Sequence, residues 1–360
     1  MAAPGPYRVA AIDCGTNSLR LLIADIDPVR RELADVQRRM EIVRLGEGVD
    51  ATGRLAPGAL ARTFATLEQY ARAIGDSGAA AVRLFATSAT RDASNAAEFA
   101  AGVRRILGVD PEVVSGAEEA RLSFSGATAE LGRAGRPGEP GRDGQPGERG
   151  EPGERGERGE RGERGEPGEP VPPFLVVDIG GGSTEFVLGD PDDATRDPSA
   201  ISVNIGCVRL TERHLHDDPP SPEQVAAATR DIDAALATVA GSIPAASART
   251  LVGLAGSVTT LTAVALNLTA YDPARVHHAR IGAARVHEVT AGLLGMDHEQ
   301  RAAIAVIHPG RVDVIGAGAL ILDRIMDRFG FAEMVASEHD ILDGIAWSIV
   351  TRPAGRSARR

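Results

Sequence analysis

The chain has 360 residues, 43% of them apolar, and a formal net charge of −11, which allows two domains with a buried core and argues against a broad nucleic-acid surface, where affinity comes from many phosphate contacts. All 39 basic residues are arginine, which excludes a P-loop and Schiff-base chemistry because both need lysine. Cys14 and Cys207 are too few for a disulfide framework or a zinc site, and the absence of a membrane-length apolar run or a leader-like N-terminus predicts a cytoplasmic protein that binds neither membrane nor nucleic acid.

Tyr7 to Ile26 reads as strand, tight turn, strand, with Val9, Ala11, Ile12 and then Leu19, Leu21, Leu22, Ile23 flanking the turn at Gly15 to Ser18. A third strand is expected around Glu41 to Leu45. Leu60, Phe64, Leu67 and Ala71 recur at helical spacing and predict a helix from Pro57 to Ile74. A strand at Val82 to Thr87, one helix from Ser88 to Leu107, a short strand at Val113 and Val114, and a helix over Ala117 to Leu131 follow. Glycine then stands at every third position from Gly135 to Gly168, with glutamate, arginine and proline between, which is the collagen pattern. A straight rod of this repeat would reach about 110 Å at roughly 3.1 Å per residue, while both flanks enter one globular body about 40 to 60 Å across. The segment is therefore expected to be a charged, disordered loop rather than a trimeric rod. Beyond it, Phe174 to Ile179 predicts a buried strand, Glu185 to Leu188 its hairpin partner, and Ser199 to Ile205 and Leu251 to Gly253 further strands, with Cys207 in an apolar strand. Helices are expected at Pro222 to Val239, Ser257 to Asn267 and Val314 to Phe329. The second half echoes the first, which suggests duplicated α/β domains around a cleft.

Two segments carry the chemistry: Ile12-Asp13-Cys14-Gly15-Thr16-Asn17-Ser18 and Val177-Asp178-Ile179-Gly180-Gly181-Gly182-Ser183-Thr184-Glu185. Each follows an apolar run with an acid, then glycines and hydroxyls. Backbone amides in such a turn can converge on an anion because glycine has no Cβ in the way, and a nearby carboxylate can hold a divalent cation against it.

These two motifs closely resemble those of the exopolyphosphatase and guanosine pentaphosphate phosphohydrolase family, as do Ser115-Gly116-Ala117-Glu118-Glu119-Ala120-Arg121-Leu122, Gly253-Leu254-Ala255-Gly256-Ser257-Val258-Thr259 and Pro309-Gly310-Arg311-Val312-Asp313-Val314. The five arrive in the family's order and span the chain outside the repeat. The resemblance implies two ribonuclease-H-like domains of the actin and sugar-kinase type around an interdomain cleft: residues 1–127, joined by a C-terminal helix at 338–352, and residues 128–337, with 133–170 as the collagen-like insert. It also implies hydrolysis of a terminal phosphoanhydride with Mg2+ as cofactor, in the short two-domain form whose members commonly pair as homodimers.

Carried over by motif, Glu119 matches the general base that polarises the attacking water, and a carboxylate beside a phosphate dianion has its pKa raised towards that task. Arg91 matches a basic phosphate contact whose charge would offset that of the transferring group. Asp178, Glu185 and Asp13 match metal-associated acids, and a turn-capping hydrogen bond is the alternative for Asp13. Gly15, Thr16, Asn17 and Ser18 on one side and Gly180, Gly181, Gly182 and Ser183 on the other would bind phosphate. Asp343 stands where many members carry arginine, so no phosphate contact carries over there, and Arg311 is read equally well as a helix-start residue. The resulting expectation is an exopolyphosphatase acting on inorganic polyphosphate. Hydrolysis of guanosine pentaphosphate (pppGpp) is the near alternative, and a non-catalytic nucleotide-binding or scaffold protein using the collagen-like stretch is the distant one.

Overall fold

The structure, a computed structural model, describes residues 6–30, 32–129, 131, 169–193 and 195–351. The glycine repeat, and with it the expected disordered loop, lies outside the described residues. The first sheet holds β1 (Tyr7–Cys14), β2 (Ser18–Asp27), β3 (Glu32–Ile42), β4 (Ala81–Ala86) and β5 (Glu112–Val113) in the order β3-β2-β1-β4-β5. The second holds β6 (Phe174–Ile179), β7 (Thr184–Gly189), β8 (Ser199–Val203), β9 (Thr250–Leu254), β10 (Arg280–Gly282) and β11 (Glu333–Ala336) in the order β10-β11-β9-β6-β7-β8.

Both sheets follow one plan. β1 pairs antiparallel with β2 and parallel with β4, and β6 pairs antiparallel with β7 and parallel with β9. β5 and β11 then extend the parallel side, and β3 and β8 complete the antiparallel side. The protein thus carries two mixed α/β sheets built on one ribonuclease-H-like strand order.

Side-chain alternation along the central strands separates the cores. Ala10, Ile12 and Cys14 of β1 face the helices Pro57–Ser77 and Ala96–Leu107 through Leu60, Leu67, Phe99 and Val103, while Val9 and Ala11 face Ile341, Leu342 and Ile345 of the helix Ile341–Thr351. In the second sheet Val176, Val187 and Val252 face Ala120, Phe124 and Ala127 of the helix Gly116–Thr128. Each of these two helices therefore packs on the sheet that lies farther from it in sequence. They also meet each other closely: a Cβ on Gly126 would lie 2.0 Å from the Asp340 carbonyl oxygen, and one on Gly344 would lie 2.2 Å from that of Leu122.

Three expectations need correction. The third strand runs over Glu32–Ile42 instead of Glu41 to Leu45, because it is an exposed edge strand whose charged residues hide it from apolar periodicity. The helix expected from Ser88 to Leu107 is two helices, Ser88–Asp92 and Ala96–Leu107, since the Asn95 side chain pairs with the Leu55 backbone on both its N–H and C=O and draws the chain aside. Cys207 opens the helix Cys207–His214 and is not in a strand. Among the described residues no helix is long and apolar enough to cross a membrane.

Gly126→Ala and Gly344→Ala should each cost about 1 to 3 kcal/mol of unfolding free energy, the usual penalty for overpacking. Denaturant titration reads this directly, and unchanged midpoints for both variants would contradict the close helix contact.

Candidate active site

The two glycine turns connect β1 to β2 and β6 to β7, and they close in the same way. The Gly15 N–H donates to the Ser18 carbonyl at 3.0 Å, and the Gly180 N–H to the Ser183 carbonyl at 3.0 Å. Each turn is also held from behind by its carbonyls. In the first, Thr16 C=O accepts from Gly46 N–H, and Asn17 C=O from Val43 and Arg44 N–H. In the second, Gly180 C=O accepts from Cys207 N–H, and Gly181 C=O from Val208 and Arg209 N–H, at the start of the helix Cys207–His214. A trans peptide points its N–H opposite its C=O, so this clamping turns the following amides, Asn17 and Ser18 in one turn and Gly181 and Gly182 in the other, away from the clamp. The glycines also let the turns touch: a Cβ on Gly181 would lie 2.9 Å from Thr16 Cβ, and one on Gly182 would lie 2.6 Å from Ser88 Oγ.

Between the turns lies a cavity of about 80 Å³ whose wall includes Asp13, Glu119 and Asp178 together with Gly15, Thr16, Asn17, Ser18, Gly180, Gly181 and Ser183. Gly182, Glu185 and Arg91 stand just behind that wall and do not line it. Glu119 is in the first turn of the helix Gly116–Thr128, whose N-cap Ser115 accepts from the Glu118 N–H. It is 8% exposed, and its Oε2 lies 3.4 Å from Arg91 Nη1, which also donates to the Val114 carbonyl at 2.8 Å. One helical turn on, Ser123 Oγ donates to Asp178 Oδ2 at 2.8 Å. Ser202 Oγ donates to Glu185 Oε1 at 2.7 Å, and Thr16 and Ser88 share a hydroxyl bond of 2.8 Å.

The sheet register sets the charges. Asp13 is paired across the hairpin with Arg20, which donates to its Oδ2 from Nε at 2.9 Å and Nη2 at 2.6 Å and also grips Asp340. At the matching position of the second domain, Asp178 is paired with Glu185, a like-charged couple that is unfavourable across a ladder. Burial first, and then Asp178, pushes Glu185 up to about 7. Burial likewise raises Asp178 to about 6, with Arg20 opposing and Asp340 adding to the rise. Glu119 is held well above the carboxylate range by burial and then by Glu185, Asp13 and Asp178, against the pull of Arg91. Asp13 is also raised by burial, and its Oδ1 is buried without a hydrogen-bond partner.

Sequence reasoning missed Ser123, Ser202 and Ser88, for which spacing gives no signal because each meets its partner only across the fold. Arg311 has a clearer part than a helix start. It lines the cavity, donates to Thr260 Oγ1 at 3.0 Å and lies flat over Gly256, where a Cβ would come within 2.2 Å. Among the described residues no carboxylate pairs with it, and burial together with nearby Arg20 draws its guanidinium pKa down. Asp343, where arginine was the family pattern, is instead the partner of Arg38 at 2.7 Å.

A sequence model of the Ppx/GppA phosphatase family matches residues 22–137 and 169–352. The chain belongs to the Ppx/GppA phosphatase family. It is 46% identical to Exopolyphosphatase 2 of Mycobacterium tuberculosis over 95% of this chain and 98% of that protein. The crystal structure of an exopolyphosphatase-like protein superimposes with a TM-score of 0.81 at 38% identity, covering 95% of this chain and 98% of the other. The Aquifex aeolicus member of the Ppx/GppA family gives a TM-score of 0.71 at 29% identity over 96% and 97%. A collagen triple helix repeat model matches residues 125–173.

Ppx/GppA phosphatases are generally metal-dependent, and the donor set here fits a hard cation. Glu119 is raised by burial and by Glu185, Asp13 and Asp178 together, and the orphaned Asp13 Oδ1 is the kind of acceptor a cation satisfies. Among the described residues no three His, Cys, Asp or Glu side chains already converge as a complete ligand cage. Mg2+ needs none, since it takes one or two carboxylates and completes its shell with phosphate and water.

In the metal-free protein the raised folded-state values of Asp178 and Glu185 mean that their contribution to stability is full below the unfolded-state carboxylate range and is lost as pH rises through about 6 and 7. With EDTA present, the unfolding midpoint should therefore fall between about pH 5 and pH 8, and Glu185→Gln should flatten that slope, with each group accounting for a few kcal/mol at most. A Glu185→Gln curve parallel to wild type would contradict the like-charge crowding.

Proposed function

We propose that this chain is an exopolyphosphatase that removes orthophosphate from the end of inorganic polyphosphate. The reading is carried by the placement of Glu119 on the same cavity wall as both amide-bearing turns. A terminal phosphoryl group seated between the turns would be bound by the amides of Asn17, Ser18, Gly181 and Ser183 and by the hydroxyls of Thr16 and Ser183. Glu119 would take a proton from water as its oxygen attacks the terminal phosphorus, and the P–O bond to the rest of the chain breaks with its electron pair leaving on the shortened polymer. Burial and the neighbouring carboxylates raise the pKa of Glu119, and Arg91 keeps the carboxylate oriented and tempers that rise. Asp178 and the free oxygen of Asp13, both on the cavity wall, would hold Mg2+, with Glu185 adding negative charge beside Asp178, and the ion when bound would neutralise charge on the anhydride oxygens.

Guanosine pentaphosphate presents the same terminal phosphoanhydride and is the second reading, since its nucleoside would lie away from the cavity between the turns. On an acidic protein, attraction of a polyanion must come from local features, and Arg311, on the wall and without a carboxylate partner among the described residues, supplies one. The relatedness to Exopolyphosphatase 2 over almost the whole of both chains supports the polyphosphate reading.

Glu119→Gln should lower kcat for polyphosphate by about 10²- to 10⁴-fold, the range expected for loss of a general base, with the fold retained by circular dichroism. Orthophosphate release from polyphosphates of defined length, measured with Mg2+ and beside guanosine pentaphosphate, decides the matter. Absence of wild-type turnover at every chain length rejects the activity, and an unimpaired Glu119→Gln rejects the base.

A further inference from the structure

The second turn has one support from outside the five segments quoted above. Arg209 is in the first turn of the helix Cys207–His214, and its side chain is only 12% exposed. Its Nε donates to the Gly182 carbonyl at 2.7 Å, its Nη2 to Asp92 Oδ2 at 2.7 Å, and its Nη1 to Asp50. Gly182 is in the second domain, and Asp50 and Asp92 lie in the sequence that folds on the first. One guanidinium thus joins the phosphate-facing turn of one domain to two carboxylates of the other. Asp92 ends the short helix Ser88–Asp92 that also carries Ser88 and Arg91. Asp50 is shared with Arg213, which Asp231 holds at 2.6 Å, and Glu212 from the same helix accepts from the Gly48 N–H at 3.0 Å.

The bond to Gly182 has a directional effect. Cys207, Val208 and Arg209 N–H groups already fix the carbonyls of Gly180 and Gly181. The Arg209 side chain fixes the next one, and the trans peptide then sets the Ser183 N–H on the opposite side, where Ser183 lines the cavity. A flat fork reaches the three acceptors from three separate nitrogens in fixed directions, whereas the three donors of an ammonium leave one atom and do not match that spread.

We infer that Arg209 is a positioning residue for phosphoryl transfer: it orients the Gly182–Ser183 peptide so that the Ser183 amide faces the terminal phosphate, and it locks that turn to the helix bearing Arg91. This rests on the proposed phosphohydrolase activity and specifies how the two halves of the site are brought into register. Arg209 acts through the backbone and through Asp92, and does not itself touch the reacting atoms.

The test uses the full-length chain with Arg209→Met, Arg209→Lys, Asp92→Asn and the Arg209→Met/Asp92→Asn pair. Steady-state kinetics are measured on a polyphosphate of defined length, together with unfolding midpoints and calorimetric binding of inorganic phosphate. Arg209→Met should lower kcat by about 10- to 100-fold, the scale of a small misplacement at a reacting centre, with KM changed much less. Arg209→Lys should recover only part of the loss. The double variant should be no slower than Arg209→Met alone, because both changes break one connection. A kcat for Arg209→Met within about twofold of wild type, or losses that multiply in the double variant, would overturn the assignment while leaving the hydrolase reading intact. If wild type does not hydrolyse polyphosphate, that reading fails separately. Phosphate binding then decides, with a several-fold weaker affinity in Arg209→Met expected and an equal affinity contradicting the inference. Should Arg209→Met fail to fold, Asp92→Asn and Arg209→Lys carry the same comparison, and wild-type kinetics in both would overturn it.

Discussion

Crowding of carboxylates at the ends of two buried strands is the constraint on which the site depends. Asp13 and Asp178 occupy matching positions at the ends of β1 and β6, and the residues opposite them across their hairpins differ in sign. In the first domain Arg20 neutralises Asp13, while in the second Glu185 adds to Asp178. A duplicated framework has therefore acquired an asymmetric charge pattern: one half is internally compensated, and the other keeps a deficit that burial makes costly. Glu119 enters the same deficit from a helix. Such crowding suits a hard cation, whose charge would relieve it.

The side of the site proposed to bind the anion is built from backbone geometry. Both turns turn their amides inward because their carbonyls are occupied on the outer side, by the segment around Val43 to Gly46 in one case and by the start of the helix Cys207–His214 in the other. Glycine is needed where the turns meet Thr16 and Ser88 without room for a Cβ. Fixed dipoles of this kind need no reorganisation as charge develops on a phosphoryl group, which is where their advantage over mobile side chains lies.

The connection between the domains explains how these halves share one cavity. The helix Gly116–Thr128 carries Glu119 yet buries its apolar face on the second sheet, and Ile341–Thr351 returns to the first. The two helices contact each other at Gly126 and Gly344. Glu119 is therefore fixed relative to Asp178 through Ser123, one turn along the same helix, and to the first domain through Arg91.

The sequence by itself determined the α/β class, the repeated strand plan, the central strands of each sheet and the two glycine turns. Buried strands and glycine turns are specified locally, by apolar runs and by backbone conformations that few residues accept. The motif order likewise marked Glu119, Asp13, Asp178 and Glu185 as one set. The exposed edge strand Glu32–Ile42 and the break at Ala93 to Asn95 escaped the sequence because their cause lies in a neighbouring strand and in Leu55, both distant along the chain. Only the tertiary structure decided which groups meet: Arg20 with Asp340, Arg38 with Asp343, Arg209 with Gly182 and Asp92, and Arg311 with Thr260. Such pairings join residues tens to hundreds of positions apart, and Coulombic and hydrogen-bond partners are set by distance in space, which no periodicity in a sequence encodes.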